Sequence, residues 1–152
     1  MNNSEKAIEY FRNSFNCSQS VLTPFALNYS LSEDTSLKIA CAFGAGMGRQ
    51  QLTCGAVTGA LMVLGLEYGK ALNDVDSKKT ETYSKTVEFI KKFEEQHKTI
   101  NCRELLNGLD MNNPSDYQEI IKQDMFKTRC EKYVLSAVQI LEQLTNIQDG
   151  SK

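Results

Sequence analysis

The chain has 152 residues, with 17 lysines and arginines against 19 aspartates and glutamates and a formal net charge of −2. That length suits one domain with its own core, and the near-balanced charge excludes a broad basic face for nucleic acid. The longest apolar run, Ala60 to Leu66, contains a glycine and falls far short of the ~20 residues that a membrane span needs.

The N-terminus, MNNSEKAIEYFRN, lacks the basic-then-apolar pattern of an export signal, so a soluble cytoplasmic protein is expected. Five cysteines in a reducing compartment are then reactive, metal-bound or packed rather than stably bridged.

Helical periodicity runs through the chain, and no segment alternates with period two. Ala7, Ile8, Phe11 and Phe15 make one face of a first helix, with Ser4 as its cap. Asn16 starts a second helix with Gln19 in the capping-box position, and Pro24 is expected to kink it. A third helix spans Glu33 to Phe43, with Leu37, Ala40 and Cys41 inward.

The stretch Phe43 to Gly69 holds every glycine except Gly108 and Gly150. It reads as a tight turn, Gly44 to Gly48, followed by a central helix to about Lys70. Thr53 is placed as cap, Leu52 and Val57 as a hydrophobic staple, and Cys54 in the first turn among unpartnered amides. Glycine in a helix interior costs about 1 kcal/mol relative to alanine, so Gly55, Gly59 and Gly65 predict close approach of another element.

After a polar loop, Asn73 to Lys79, a long helix covers Thr80 to Lys98 with Tyr83, Val87, Ile90 and Phe93 on its inner side. Lys85, Glu88, Lys91, Lys92 and Glu95 form its solvated face. Asn101 caps a short helix, with Glu104 as box partner and Ile100 stapled to Leu105, and Gly108 stops it. A loop containing Pro114 leads to a short helix, Tyr117 to Met125. Thr128, with Glu131, caps the last helix, whose stripe is Cys130, Val134, Ala137, Leu141 and Leu144. The whole is an all-α, single compact bundle of about six to eight helices around the glycine-rich central helix. Residues 1–152 form one domain, with a tail at 148–152 that frays.

Four cysteines share a placement: Asn16-Cys17, Thr53-Cys54, Asn101-Cys102 and Thr128-Arg129-Cys130 each follow a helix-capping residue. A helix N-terminus favours the thiolate, the form that attacks disulfides and binds metals. Cys54, beside Gly55, is expected to be the most reactive and accessible, with Cys17, Cys102 and Cys130 gathered around it. Cys41, beside Leu37 and Ala40, reads as core packing.

Cys17, the Cys54-Gly55-Ala56-x-x-Gly59 hexapeptide, Cys102 and Cys130 resemble, in that order, the C–GCAxxG–C–C family of redox-active four-cysteine proteins. The resemblance covers nearly the whole chain and implies a redox or electron-transfer association without naming a reaction or substrate. Three readings follow. Cys17, Cys54, Cys102 and Cys130 cycle between dithiol and disulfide with a redox partner protein or small thiol, as a thiol-based oxidoreductase would. Alternatively the same four hold zinc or an iron–sulfur cluster. The third reading is a non-catalytic helical interaction module, and a homo-oligomer remains open.

Other motifs are weaker. Gly44-Ala45-Gly46-Met47-Gly48 lacks the strand–helix units of a dinucleotide site and is better read as a turn between close helices. Arg49 is solvated or holds an anion near Cys54, and His97, the only histidine, is a half-buried residue seeking a partner. No CxxC or CxxCH occurs, so any shared site must be assembled by the fold.

Overall fold

A computed structural model describes residues 1–147; the expected fraying at 148–152 lies outside the described residues. Eight α-helices occur among the described residues: α1 (Asn3–Arg12), α2 (Cys17–Ala26), α3 (Glu33–Cys41), α4 (Gly55–Tyr68), α5 (Ser77–His97), α6 (Cys102–Leu105), α7 (Pro114–Lys122) and α8 (Glu131–Leu144). No strand forms there beyond one isolated antiparallel bridge, Thr53 to Asn101. The fold is all-α, as the periodicity predicts.

α4 is the hub, packed most extensively on α2 and also on α5 and α8. Gly55, Ala56, Val57, Thr58, Gly59, Ala60, Val63 and Leu64 are all buried, which leaves its N-terminal half without a solvent face. A helix apolar all round belongs in a core. Its glycines are not equivalent. A Cβ at Gly59 would stand 2.6 Å from the carbonyl oxygen of Ser18 in α2, whereas one at Gly65 would meet nothing within 4 Å. The close approach expected along three glycines therefore holds at Gly55 and Gly59 and ends before Gly65.

Several local expectations are corrected. α1 is capped by Asn2, not Ser4, in a box with Glu5. Pro24 lies near the end of α2, which passes into a 3-10 turn at Leu27–Tyr29. α3 buries Ser36 and Ala40 and leaves Cys41 exposed, so that cysteine is not core packing. α7 begins at Pro114 itself, with Asn113 as cap, because proline at the first helical position gives up an amide that has no helical partner anyway. The inner face of α5 is Phe89, Phe93 and the half-buried Thr82, Thr86 and His97, while Tyr83 and Val87 are 63% and 65% exposed. The Gln19 box on Asn16 and the cap at Asn101 form as read.

The glycine turn is wound left-handed. Ala45, Gly46, Met47, Gly48 and Arg49 have φ between 53° and 71°, and Gln51 has φ 56°. Left-handed backbone costs a non-glycine residue roughly 1–2 kcal/mol, so the turn must be held from outside. Gln51 supplies that hold: it is buried, donates from Nε2 to Leu109 O at 2.8 Å, and accepts from Met111 N at 2.8 Å.

Two substitutions test the glycine assignment by urea unfolding. Gly59→Ala should lose about 1–3 kcal/mol, because the methyl meets α2 backbone rather than a movable side chain. Gly65→Ala should be neutral or gain up to about 1 kcal/mol from helix propensity. Equal effects would show that close packing does not explain Gly59.

Candidate functional site

Cys17, Cys54, Cys102 and Cys130 all line one cavity of about 190 Å³; Cys41 does not. Each arrives by a different route. Cys17 is the first residue of α2, after Asn16, whose side chain accepts from Gln19 N while Gln19 Oε1 accepts from Asn16 N. Asn16 Nδ2 also donates to Cys41 O at 2.9 Å, which ties the start of α2 to the end of α3.

Cys54 and Cys102 are brought together by the Thr53–Asn101 bridge. Cys54 N donates to Ile100 O at 2.7 Å and Cys102 N to Leu52 O at 2.6 Å. Side chains alternate across extended backbone, so the two cysteines flank the bridge on the face opposite Thr53 and Asn101. Thr53 is thus a bridge residue, and Cys54 is itself the N-cap of α4, so the helix starts one residue later than expected. Cys102 opens α6, capped by Asn101 through Glu104 N at 3.1 Å; Asn101 N donates to Thr99 Oγ1, not to Glu104.

Cys130 departs furthest from the pattern. It closes a π turn, Phe126–Cys130, that runs without a break into α8, so Thr128 caps nothing and Cys130 has no free helix N-terminus. π turns widen a helix locally and recur at functional sites.

The rest of the wall is apolar, including Phe11, Ala45, Leu106, Met111, Phe126 and the ring of Tyr133. Cys54, Cys102 and Cys130 are 4%, 9% and 9% exposed. Cys17, Phe11, Ala45 and Phe126 are half-buried, which marks that side as the outer wall. Burial overturns the expectation of an accessible Cys54. The amides of Ala56 and Val57 face its sulfur and favour the thiolate, but loss of water pushes its pKa up to about 12. Burial likewise pushes Cys102 up to about 12. Cys17 is held well above the ordinary thiol value, first by its hydrogen bond with the Cys130 thiol and then by burial.

Tyr133 and Met111 were not singled out from the sequence. Tyr133 stands one turn after Cys130, a spacing that does place it on the same helix face, and its hydroxyl donates to Leu105 O at 2.7 Å. Met111 reaches the wall through a loop fixed by Gln51, which leaves no local signal. Arg49 is a strut: Nη2 donates to Met111 O at 3.0 Å and the guanidinium lies 5.4 Å from the Tyr117 ring centre. His97 is half-buried between Phe93 and Tyr133, with Nε2 2.8 Å from Ser136 Oγ, and burial lowers its pKa. Among the described residues, no three of His, Cys, Asp or Glu stand close enough to hold a single metal ion.

The raised thiols predict a pH dependence. Below about pH 9, the ordinary value for Cys54, both folded and unfolded chains keep this thiol protonated, and the stabilisation is fully present. As pH rises toward 12 the unfolded chain ionises first, so stability is lost. Denaturant midpoints measured across this range should fall, and less steeply in Cys54→Ala. An equal slope in the variant would mean that Cys54 ionises in the folded chain as readily as in the unfolded one.

Residues 15–144 match the model of the family described as "Putative redox-active protein (C_GCAxxG_C_C)". No curated protein and no solved structure matches the chain. No helix among the described residues is long and apolar enough to cross a membrane. With the family match spanning most of its length and all four of these cysteines, the chain belongs to the C_GCAxxG_C_C redox-active family.

Proposed function

We propose that the cavity works as a buried dithiol–disulfide centre, with Cys17 as the entering thiol and Cys130 as its partner. The observation that carries this reading is the convergence of Cys17 and Cys130, with Cys54 and Cys102, on one apolar cavity, where Cys130 acts on the Cys17 thiol more strongly than any other neighbour. The co-reactant is the disulfide of a partner protein or a small molecule. Cys17 loses its proton to solvent and its sulfur attacks one sulfur of that disulfide, releasing the other as a thiolate. Cys130, once deprotonated, attacks the Cys17 sulfur and releases the second partner thiolate. The Cys17–Cys130 bond forms, the partner's S–S bond breaks, and two electrons pass to the partner, whose thiolates take up two protons.

Protonated thiols react slowly, since the thiolate is the nucleophile. Burial therefore suppresses adventitious oxidation and reserves the couple for a reactant that enters from the side of Phe11 and Phe126. Cys54 and Cys102, side by side behind the bridge, form a second thiol pair in the same cavity.

Oxidation of the reduced chain by a small disulfide, followed by mass-spectrometric mapping, tests the reading. A Cys17–Cys130 linkage is expected first, at a rate that climbs with pH into the alkaline range, and Cys41→Ser should leave it unchanged. Cys130→Ser should stop at a mixed disulfide on Cys17. A first linkage that excludes Cys17 or Cys130 would sink it.

A second reading, an iron–sulfur cluster held by the same four cysteines, is favoured by the cavity itself. About 190 Å³ of space framed by four sulfur donors is room for a polynuclear group. A single zinc ion is less well supported, because no three donors converge on one ion's radius among the described residues. Metal and sulfide analysis with a visible absorption spectrum, on protein purified without oxygen, separates the readings. Stoichiometric iron and sulfide with a broad visible band replaces the dithiol reading, and metal-free protein retains it.

A further inference from the structure

The lining of the thiol cavity restricts what can enter it. Among the described residues, no aspartate, glutamate, lysine, arginine or histidine lines it. Apart from the thiols, its polar side chains are those of Asn16 and Tyr133, and both are already partnered. Asn16 Oδ1 accepts from Gln19 N and Nδ2 donates to Cys41 O, while the Tyr133 hydroxyl donates to Leu105 O. A charged or peptide-like group inside would lose its water and gain no partner, which is costly. An apolar group has ample room. The cavity measures about 190 Å³, and an apolar one of about 150 Å³ takes up benzene. Its rim is the half-buried set Phe11, Asn16, Cys17, Ala45 and Phe126, while the rest of the lining is buried. Phe11 and Phe126 also line an outer cleft with Arg12, Asp124, Lys127 and Glu131, two charges of each sign. Arg12 is held there by Glu131 at 2.8 Å, so the cleft selects no charge.

We propose that the reactant of this cavity is an uncharged cyclic disulfide, a five-membered dithiolane ring carried on one aliphatic arm. The inference rests on the dithiol reading of the same thiols and adds the chemical class of their oxidant. A linear disulfide has two substituents, and at a one-sided rim the second must be buried with the sulfurs. A ring presents both sulfurs on one arm, so the ring enters and the arm leaves past Phe11 and Phe126. The outer cleft, with its balanced charges, suits an amide at the end of that arm. Cys17, on the rim, loses its proton and attacks one ring sulfur. The ring S–S bond opens, and the other sulfur becomes a thiolate still joined to the arm. Cys130, deprotonated, attacks the Cys17 sulfur and releases the first ring sulfur. The Cys17–Cys130 bond forms, two electrons pass to the ring, and its two thiolates take up the two protons that the cysteines lost. Both leaving sulfurs depart on one molecule, as an open dithiol.

The full reduced chain is oxidised with dithiolane amides that differ only in arm length, and with glutathione disulfide, and the linkages are followed by mass spectrometry. Each rate is taken relative to that of the same reagent with dithiothreitol, which removes differences in intrinsic reactivity. Formation of Cys17–Cys130 should accelerate about fourfold for each methylene added to the arm, the worth of a buried methylene. Glutathione disulfide, charged and linear, should be slower than the longest-armed amide by at least about tenfold. Phe126→Asp should remove most of that difference with an unchanged helical circular dichroism spectrum, and Phe126→Leu should keep it. A cyclopentane amide, which has no sulfur, should protect Cys17 but not the exposed Cys41 from alkylation. Linkage formed as fast by glutathione disulfide as by the amides, or rates indifferent to arm length, overturns the inference and leaves the dithiol reading standing. Alkylation of Cys17 that ignores the cyclopentane amide also overturns it. No Cys17–Cys130 linkage with any of the reagents sinks the dithiol reading, and this inference with it.

Discussion

The contact on which the site depends is the backbone approach of α2 to α4 at Ser18. A Cβ at Gly55 would lie 3.0 Å from Ser18 N and 3.1 Å from Cys17 Cβ. At Gly59 the clash would be with the Ser18 carbonyl. Glycine at 59 lets the N-terminal ends of both helices lie side by side, and at 55 a side chain would fit only if α2 gave way by a few tenths of an ångström. Cys17 and Cys54, distant in sequence, reach one cavity for that reason. The hexapeptide is therefore a packing motif first, and its chemistry follows from the packing. Alanine at Gly59 would act on the thiols by moving a helix, without touching either sulfur.

The same assembly decides the thiol chemistry by magnitude. A helix N-terminus favours a nearby anion by up to about 2 kcal/mol. The net rise of Cys54 from 9.0 to about 12 corresponds to roughly 4 kcal/mol against its thiolate. Desolvation wins, even though the Cys54 sulfur faces the amides of Ala56 and Val57 at its own helix start. Among the described residues, no lysine or arginine joins Phe11, Leu106, Met111 and Phe126 in lining the cavity. Holding thiols neutral is thus a property of the cavity and not of any one helix end.

Much of this was legible locally. The capping box at Asn16, the cap at Asn101 and the buried stripe of α8 depend on residues three or four apart, and all formed. What failed required knowledge of distant neighbours. Thr53 looks like a cap until Asn101 pairs with it and passes the N-cap role to Cys54. Thr128 looks like a cap until the chain arrives already helical, through the π turn. On α3 Ala40 is buried as read and Leu37 is half-buried, but Ser36 takes the inward place expected of Cys41, and a nine-residue helix has too few apolar positions to fix that phase. α5 misled for the opposite reason. It carries two stripes, and periodicity reports that a face is apolar without reporting what covers it.

The left-handed turn connects these two levels. Ala45, Met47, Arg49 and Gln51 all carry positive φ, and Ala45 belongs to the cavity wall. Four non-glycine residues in this region oppose folding by several kcal/mol, on the order of 1–2 each. Cross-links to one loop offset that cost: Gln51 to Leu109 and Met111, Arg49 to Met111, and Asn112 Nδ2 to Arg49 O. The loop in turn delivers Met111 to the cavity. Turn and loop thus support each other across this wall. Gln51 holds the loop that supplies Met111, which ties the shape around the thiols to a glutamine that carries no redox chemistry of its own.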